Sequence, residues 1–551
     1  MQTRPWLATY QSTGVPADID FQPCASVVEM LDQAMLEFAA RPAFQVPGHT
    51  LSYRDVDQRS SAVAAWLQAR LGVSKGMRIG VMLPNIAAFP VACLGILRAG
   101  AVQVNINPLY TPRELEHQLA DAGCEIIVVF DGAVATLLQV LGKTPVRTVI
   151  TANADDALGL ELAPQAWAQA SALHPEVQFH GLRELLSAGG HMQRRPVDLR
   201  GDDLIFLQYT GGTTGLSKGA ALSHYNLVAN TQQFKAITAG VLRPGEEVVV
   251  TALPLYHIFA LMVNFIVYFS VGAENWLVAN PRDMDGFIDI LKAARPTVFV
   301  GVNTLYAGLA MHPRIGEVDF SRLRFSAGGG AAVVRVISDR WQAITGQFIR
   351  EGYGLSETSP VLSFNPQSMQ SFSGSTGLPL PGTDIVLLDE QDRPVALGES
   401  GEICAKGPQV MRGYWQQPQA NAAAFTRDGY FRTGDIGVFD EAGFLKIVDR
   451  KKDMIIVSGF NVFPNEVEAV VSQCPGVAEC ACVGVPDERT GEAVKIVIVK
   501  RPGAVLTAES VASYCRSAMT AYKIPRRIEF VDALPKSAVG KILRRDLRDK
   551  T

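Results

Sequence analysis

Several things are missing from these 551 residues. No span has the twenty or so consecutive apolar residues a membrane-crossing helix needs; the apolar run Ile86 to Leu97 covers only about a dozen and is interrupted by Pro90. The start, Met1-Gln2-Thr3-Arg4-Pro5-Trp6, lacks the apolar core of a signal peptide. Cysteine is sparse: eight residues are scattered, and even Cys480-Ala481-Cys482 lacks metal-ligand spacing. They read as reduced, mostly buried thiols of a soluble cytoplasmic protein. A net charge of -4 offers no case for a nucleic-acid surface. There is no internal repeat and no low-complexity tract. No Gly-x-Gly-x-x-Gly dinucleotide fingerprint occurs, and no Walker A loop: Lys218 is preceded by Ser217 and followed by Gly219, and Gly540-Lys541 runs into Ile542, which has no hydroxyl.

What is present is a loop. Tyr209-Thr210-Gly211-Gly212-Thr213-Thr214-Gly215-Leu216-Ser217-Lys218-Gly219 follows the apolar run Leu204 to Leu207 and precedes a helical pattern from Asn226. Glycine lets backbone N–H groups turn inward and approach an anion, and the hydroxyls and the ammonium add donors. Strand, glycine loop and helix in that order are the usual setting for a phosphate cradle. By itself the run also reads as a flexible surface loop. Gly215-Leu216-Ser217-Lys218-Gly219 matches the hydrolase elbow Gly-x-Ser-x-Gly, so a serine hydrolase using Ser217 is a reading from another class. An elbow places its serine directly between strand and helix, whereas Ala220-Ala221-Leu222 reads as a further short strand.

Strand and helix patterns alternate along most of the chain. Arg78–Leu83, Ala101–Ile106, Cys124–Phe130, Glu247–Leu253, Thr297–Val302 and Leu323–Ala327 read as strands; Met284–Ala294 and Ala331–Thr345 read as helices. Thr111 is placed to cap a helix whose first turn holds Pro112. Such alternation predicts an α/β fold with doubly wound parallel sheets, whose ligands lie beyond the carboxyl ends of the strands. The stretch Ala152 to His191 is weakly periodic and predicts a long, loosely ordered connection. From about Gly374 to Lys446 the pattern is short and turn-rich, a small β-unit. After the charge run Asp449-Arg450-Lys451-Lys452-Asp453, about a hundred residues mix both element types, with helices at Asn465–Cys474 and Ala508–Met519 and a strand at Ala493–Val499. The expected division is a large N-terminal domain over 1–449, a hinge over 450–453 and a small mobile α+β domain over 454–551.

Further motifs appear in a fixed order. Tyr353-Gly354-Leu355-Ser356-Glu357, Phe431-Arg432-Thr433-Gly434-Asp435, the charge run at 449–453, and Pro535-Lys536-Ser537-Ala538-Val539-Gly540-Lys541 follow the glycine loop. Together they resemble the adenylate-forming (AMP-binding) superfamily over nearly the whole chain. That resemblance implies an enzyme joining a carboxylate to ATP with release of pyrophosphate, then passing the acyl group to a second nucleophile. Charge is the difficulty in such a step, so positioning and electrostatic stabilisation carry it.

The resemblance also implies residue roles. Thr210, Gly211, Gly212, Thr213, Thr214, Gly215 and Lys218 would hold the β- and γ-phosphates, Tyr209 at the head of the loop would join the nucleotide site, and Thr358 would contact the α-phosphate. Glu357 and Thr213 would ligate Mg2+ and act in catalysis. Tyr353 and Gly354, with Gly328, Gly329 and Gly330, would surround adenine; Asp435 and Arg450 would take the ribose. Lys541 would reach from the small domain to the reacting carboxylate. Rotation at Lys452 would then bring Ser458 and Gly459 to the centre for the thiol. As bare residues, Glu357 also reads as a capping carboxylate, Gly328 to Gly330 as a tight turn, and Lys541 as a solvated tail lysine.

Asn107 to Leu115 and Leu253-Pro254-Leu255-Tyr256-His257-Ile258-Phe259 are similar to bacterial long-chain fatty-acid–CoA ligases, and Asp428 to Lys452 follows the fatty-acyl-CoA synthetase signature. The resemblance implies a fatty acid, ATP and coenzyme A as substrates, with peripheral membrane contact and a homodimer as family-based expectations. His257, Phe259, Leu261, Val302, Tyr306 and Val361 are candidate walls of the acyl pocket, and His257 is also a candidate to orient substrate. It reads equally as a core histidine. A medium-chain or aryl acid, or a different acceptor, stays open.

Overall fold

The computed structural model describes residues 4–17, 19–21, 24–158, 174–210, 217–458, 460–487, 489–537 and 540–548. Among them, two large sheets dominate. A seven-stranded sheet runs in the order Gln178–Gly181, Thr148–Ala152, Ile126–Phe130, Arg78–Met82, Val102–Asn105, Leu204–Thr210, Lys218–Ser223. All its neighbours are parallel except the last pair. A nine-stranded sheet runs Leu378–Pro379, Val361–Phe364, Arg350–Gly354, Phe325–Gly328, Val298–Gly301, Val248–Thr251, Glu274–Leu277, Pro42–Val46, His49–Ser52. Its middle is parallel and both edges are antiparallel. Central strands such as Ile126–Phe130, an unbroken apolar run, and Val248–Thr251, buried throughout, have both faces covered.

Helix Ala88–Arg98 is buried on every side, which its sequence allows by carrying only one charged residue, Arg98, at its end. With helix Tyr53–Arg70 it belongs to one core that joins both large sheets and a four-stranded antiparallel sheet, Asp384–Leu388, Gly401–Lys406, Phe431–Phe439, Leu445–Arg450. The remaining sheet, Phe460–Val462, Ile455–Val457, Gly491–Lys500, Val477–Asp487 with Arg527–Val531, packs on helices Pro464–Val471 and Ala508–Ala518 around separate apolar clusters. Residues 451–454 connect this small unit to the large body. The architecture is therefore the doubly wound α/β body with a β-unit and a smaller α+β unit. No helix among the described residues is long and apolar enough to cross a membrane.

Local signals act as expected at several ends. Thr111 caps helix Pro112–Ala122 through a reciprocal box: its Oγ1 accepts from the Glu114 N–H, and Glu114 Oε2 accepts from the Thr111 N–H. The helix expected from Asn226 begins at His224, because Ser223 captures the Asn226 N–H and ends the preceding strand. The stretch Ala152 to His191 departs from expectation. Gln178–Gly181 adds a sheet strand, and helix Leu182–Gly189 packs on Tyr53–Arg70 with Leu182 and Leu185 buried. A four-residue strand and an eight-residue helix are too short to show a period, and both owe their form to the surfaces they cover. Residues 159–173 of that stretch lie outside the described ones. Ala260–Val267 is π-helical and wholly buried, a feature no sequence pattern announced.

Candidate functional site

Glycines close the strand ends that face the small unit. Strand Phe325–Gly328 runs into Gly329 and Gly330, and Gly330 takes φ +76°, a conformation that favours glycine. A Cβ on Gly330 would sit 3.5 Å from Lys541 Cε. Gly329 is equally confined: its Cβ would meet the Gly352 carbonyl at 3.2 Å and the Phe259 ring at 3.3 Å. The neighbouring strand Arg350–Gly354 carries Tyr353, whose hydroxyl donates to Asp435 Oδ2 at 2.7 Å. Asp435 pairs with Arg450 across adjacent strands, and the Arg450 Nε lies 3.4 Å from its other oxygen. Burial raises the pKa of this carboxyl, against the opposing pull of the Arg450 guanidinium.

Glu357 sits in the turn after strand Arg350–Gly354, almost completely buried. Its Oε1 accepts from the Tyr414 hydroxyl at 2.9 Å and from Thr210 Oγ1 at 3.4 Å, and burial pushes its pKa up. Thr210 is the last residue of its strand, so Glu357 stands at the start of the glycine loop. Gly211, Gly212, Thr213, Thr214 and Gly215 lie outside the described residues. Where the chain resumes, Lys218 Nζ is 5.3 Å from the Tyr414 ring centre, over its face. Thr210, Lys218 and Glu357 therefore flank the same loop, with Tyr414 between the latter two.

Lys541 comes to this place from the far end of the chain. Its loop closes on itself, the Ser537 N–H donating to the Lys541 carbonyl at 2.7 Å, and docks by Thr304 Oγ1 reaching the Gly540 carbonyl at 3.5 Å. Burial and the Arg450 cation pull the ammonium down to about 8, while Asp435 and Glu357 act the other way. His257 lies near enough to feel this cation. Its Nδ1 accepts from the Phe259 N–H at 3.3 Å, which assigns the ring proton to Nε2. Burial, then the Lys541 charge, depresses its pKa to about 3, so the ring is neutral near pH 7.

Three expectations need correction. The Tyr209 side chain does not face the loop: its hydroxyl donates to Asp121 on helix Pro112–Ala122 at 2.5 Å. Successive strand residues point to opposite faces, so Thr210 reaching Glu357 sends Tyr209 the other way. Thr358 is fully buried, and its hydroxyl is engaged within its own turn, donating to the Pro360 carbonyl at 2.5 Å and accepting from the Leu355 N–H at 3.0 Å. The hydroxyl left half-buried and without a side-chain partner among the described residues is Ser356, a position the motif itself contained. Tyr306 is a core residue, fully buried with its hydroxyl on the Phe299 and Ala327 carbonyls, rather than a pocket wall.

Gly354 is held by close backbone approach, since a Cβ there would overlap the Pro360 carbonyl oxygen at 1.8 Å. Leu261 is buried in the π-helical run, Val302 adjoins Gly330 and Gly540, and Val361 is buried on its strand. Ser458 is not gathered with the others. It is exposed on the small unit's hairpin at φ 51°, its N–H on the Thr490 carbonyl, and Gly459 is outside the described residues. Lys452 lies in the connecting turn, where the Asp453 and Met454 N–H groups both return to the Arg450 carbonyl.

Sequence reasoning passed over Tyr414, Thr304 and Glu351. Glu351 is a buried carboxyl, pushed up to about 8 by burial, that accepts from the Val333 N–H just beyond Gly330. The elbow reading of Ser217 has no geometry behind it. Ser217 precedes an antiparallel edge strand, Lys218–Ser223, and the nearby His117 Nε2 contacts its carbonyl oxygen at 2.9 Å.

Comparison with known proteins gives the same picture. Residues 31–415 match the family model described as AMP-binding enzyme, and residues 466–541 match the AMP-binding enzyme C-terminal domain. The long-chain-fatty-acid–CoA ligase of Escherichia coli O6:H1 is 48% identical over 551 residues, covering 99% of this chain and 98% of that protein. The enzyme of the same name from Bacillus subtilis is 35% identical over 558 residues, at 99% and 98% coverage. Among solved structures, the anthranilate CoA ligase AuaEII in complex with anthranoyl-AMP superposes with a TM-score of 0.86 at 25% identity, over 96% of this chain and 98% of that one. The chain belongs to the AMP-binding enzyme family.

Proposed function

We propose that this enzyme is a long-chain fatty-acid–CoA ligase. It consumes a fatty acid, ATP and coenzyme A and yields acyl-CoA, AMP and pyrophosphate. The observation that carries the reading is convergence: Gly330, Glu357, Asp435 and Lys541, from four stretches of sequence, meet at one place.

In the first step a carboxylate oxygen attacks the α-phosphorus, the α–β bridging bond breaks, and pyrophosphate leaves with the bonding electrons. Two anions must approach, and negative charge grows on the α-phosphoryl oxygens. Lys541 answers that need as a point charge on a long stem, placed where Asp435 and Glu357 favour its cationic form. Asp435 accepts from the ribose hydroxyls, with Tyr353 and Arg450 fixing its orientation. Gly328, Gly329 and Gly330 leave room for the base, and the Thr210 to Lys218 loop holds the outer phosphates. Ser356, rather than Thr358, offers its hydroxyl to the α-phosphate.

The donor set fits Mg2+ carried by ATP: a single buried carboxylate, Glu357, with the Thr210 hydroxyl beside it, and no all-protein cage among the described residues. The ion, when bound, neutralises phosphate charge. Thr213 stays assigned to it on the resemblance alone. In the second step the CoA sulfur attacks the acyl carbon, its proton is lost to water, and AMP departs. The small unit reorients about Lys452 for this step, so that Ser458 and Gly459 line the path of the pantetheine arm.

The test is incubation with ATP, Mg2+, CoA and a panel of long-chain, medium-chain and aryl acids, following AMP and acyl-CoA. Acid-dependent ATP–pyrophosphate exchange without CoA, strongest with long chains, supports the reading. Labelling of Ser217 by a fluorophosphonate with no AMP formed would replace it with a hydrolase. A homodimer and peripheral membrane contact rest on the resemblance alone; sedimentation and vesicle flotation decide them.

A further inference from the structure

One buried ionic cluster lies outside the site just described. Asp449, fully buried, is the penultimate residue of the last strand of the large body. Its Oδ1 accepts from the Arg450 N–H at 2.7 Å and from Arg544 Nη1 at 3.1 Å; its Oδ2 accepts from the Asn465 N–H at 2.7 Å. Asn465 and Arg544 both belong to the small unit, and Asn465 Nδ2 donates back to the Val448 carbonyl at 3.2 Å. Arg544 is three residues beyond Lys541. Asp449 is next to Arg450, whose guanidinium approaches Asp435. A continuous line of contacts thus joins the lysine loop to the acid beside Tyr353.

We propose that Arg544 is a positioning residue: its bond to Asp449 latches the small unit in the arrangement that brings Lys541 to the reacting carboxylate. The inference rests on the function proposed above and adds a residue to it. The latch is built to open. A buried pair is normally hard to break because the partner left behind is an unpaired charge. Here each side keeps a fallback. Arg544 retains both oxygens of Glu468 at 2.9 Å each, within its own unit, and lies 3.6 Å from Asp453. Asp449 retains the Arg450 N–H and gains water as the small unit leaves. Arg544 is suited to this double allegiance because its planar fork offers separate donors, Nη1 towards Asp449 and Nη2 towards Glu468. The latch belongs to one arrangement only, so it serves adenylation and not thioester formation.

The experiment separates the two half-reactions of full-length enzyme. Arg544→Met is expected to lower acid-dependent ATP–pyrophosphate exchange at least tenfold through its maximal rate, with KM for ATP within about threefold. Thioester formation from supplied acyl-adenylate and CoA should stay within about twofold of the parent. Arg544→Lys, which keeps charge but loses the fork, should recover part of the exchange rate. Should Arg544→Met fail to fold, Asp449→Asn is measured the same way, since it leaves Arg544 its Glu468 partner. An equal fall in both half-reactions would mean a merely structural residue and overturn the proposal, as would no change in either or loss of thioester formation alone. Absence of AMP formation by the parent enzyme on every acid is a separate failure, of the functional reading rather than of the latch.

Discussion

Adding one methyl group at Gly540 should impair adenylation and leave thioester formation largely intact. Gly540 has φ +76°, and its added Cβ would lie 2.6 Å from Thr304 Oγ1 and 3.4 Å from Val302 Cγ2. These two effects fall on different equilibria. The backbone strain is internal to the small unit, because the loop is closed by the Gly540 N–H on the Ser537 carbonyl and the Ser537 N–H on the Lys541 carbonyl. It is present whether or not Lys541 is docked, and costs about 1 kcal/mol of small-unit stability. The clash with Thr304 exists only when the loop is docked. Overpacking of this kind costs about 1–3 kcal/mol, or about 5- to 150-fold in the docked population. Gly540→Ala should therefore reduce ATP–pyrophosphate exchange by a factor in that range, with a small loss of Tm. Thr304→Ala removes the atom in the way, leaving its Cβ at an ordinary 3.9 Å. Gly540→Ala combined with Thr304→Ala should restore most of the exchange rate and none of the Tm. Equal loss in both half-reactions, or a double variant no better than Gly540→Ala alone, would refute the reasoning.

The remaining predictions use the same half-reaction assays. Lys541→Ala should abolish acyl-adenylate formation and largely spare thioester formation from supplied acyl-adenylate; equal losses would remove Lys541 from its role. With the Lys541 pKa lowered to about 8, the ammonium is present below that pH and lost above it, so kcat/KM for adenylation should fall about tenfold per pH unit beyond 8. A flat profile to pH 10 would show that the cation is not needed. Tyr353→Phe removes the donor to Asp435 and should raise KM for ATP about 2- to 10-fold, from the net value of one hydrogen bond, with kcat little changed. Lys452→Pro sacrifices no backbone hydrogen bond seen among the described residues, so its stiffening should lower thioester formation more than adenylation. Unchanged rates in both would argue against reorientation at this turn.

Where the linear reading of the site went astray, the error was one of direction rather than of place. Tyr209 and Thr210 are neighbours in one motif, but a strand sends them to opposite faces, one to Asp121 and the other to Glu357. Thr358 and Ser356 are both hydroxyls of the same turn, and only the turn's hydrogen bonds reveal that Thr358 is occupied. Glu351 and Tyr414 were silent for another reason: their partners, Val333 and Glu357, lie 18 and 57 residues away.

The alternation of apolar runs with helical periods was sufficient to establish doubly wound sheets. The order of short motifs was sufficient to establish the family. Both are written locally, in the period of side-chain burial and in loops whose glycines and hydroxyls suit phosphate. The convergence of Lys541 on Gly330, the buried pairing of Asp449 with Arg544, and the neutral state of His257 were decided only by the tertiary structure. Each depends on groups far apart in the chain being desolvated together. Burial and electrostatic coupling are properties of a place in space, and no stretch of sequence contains them.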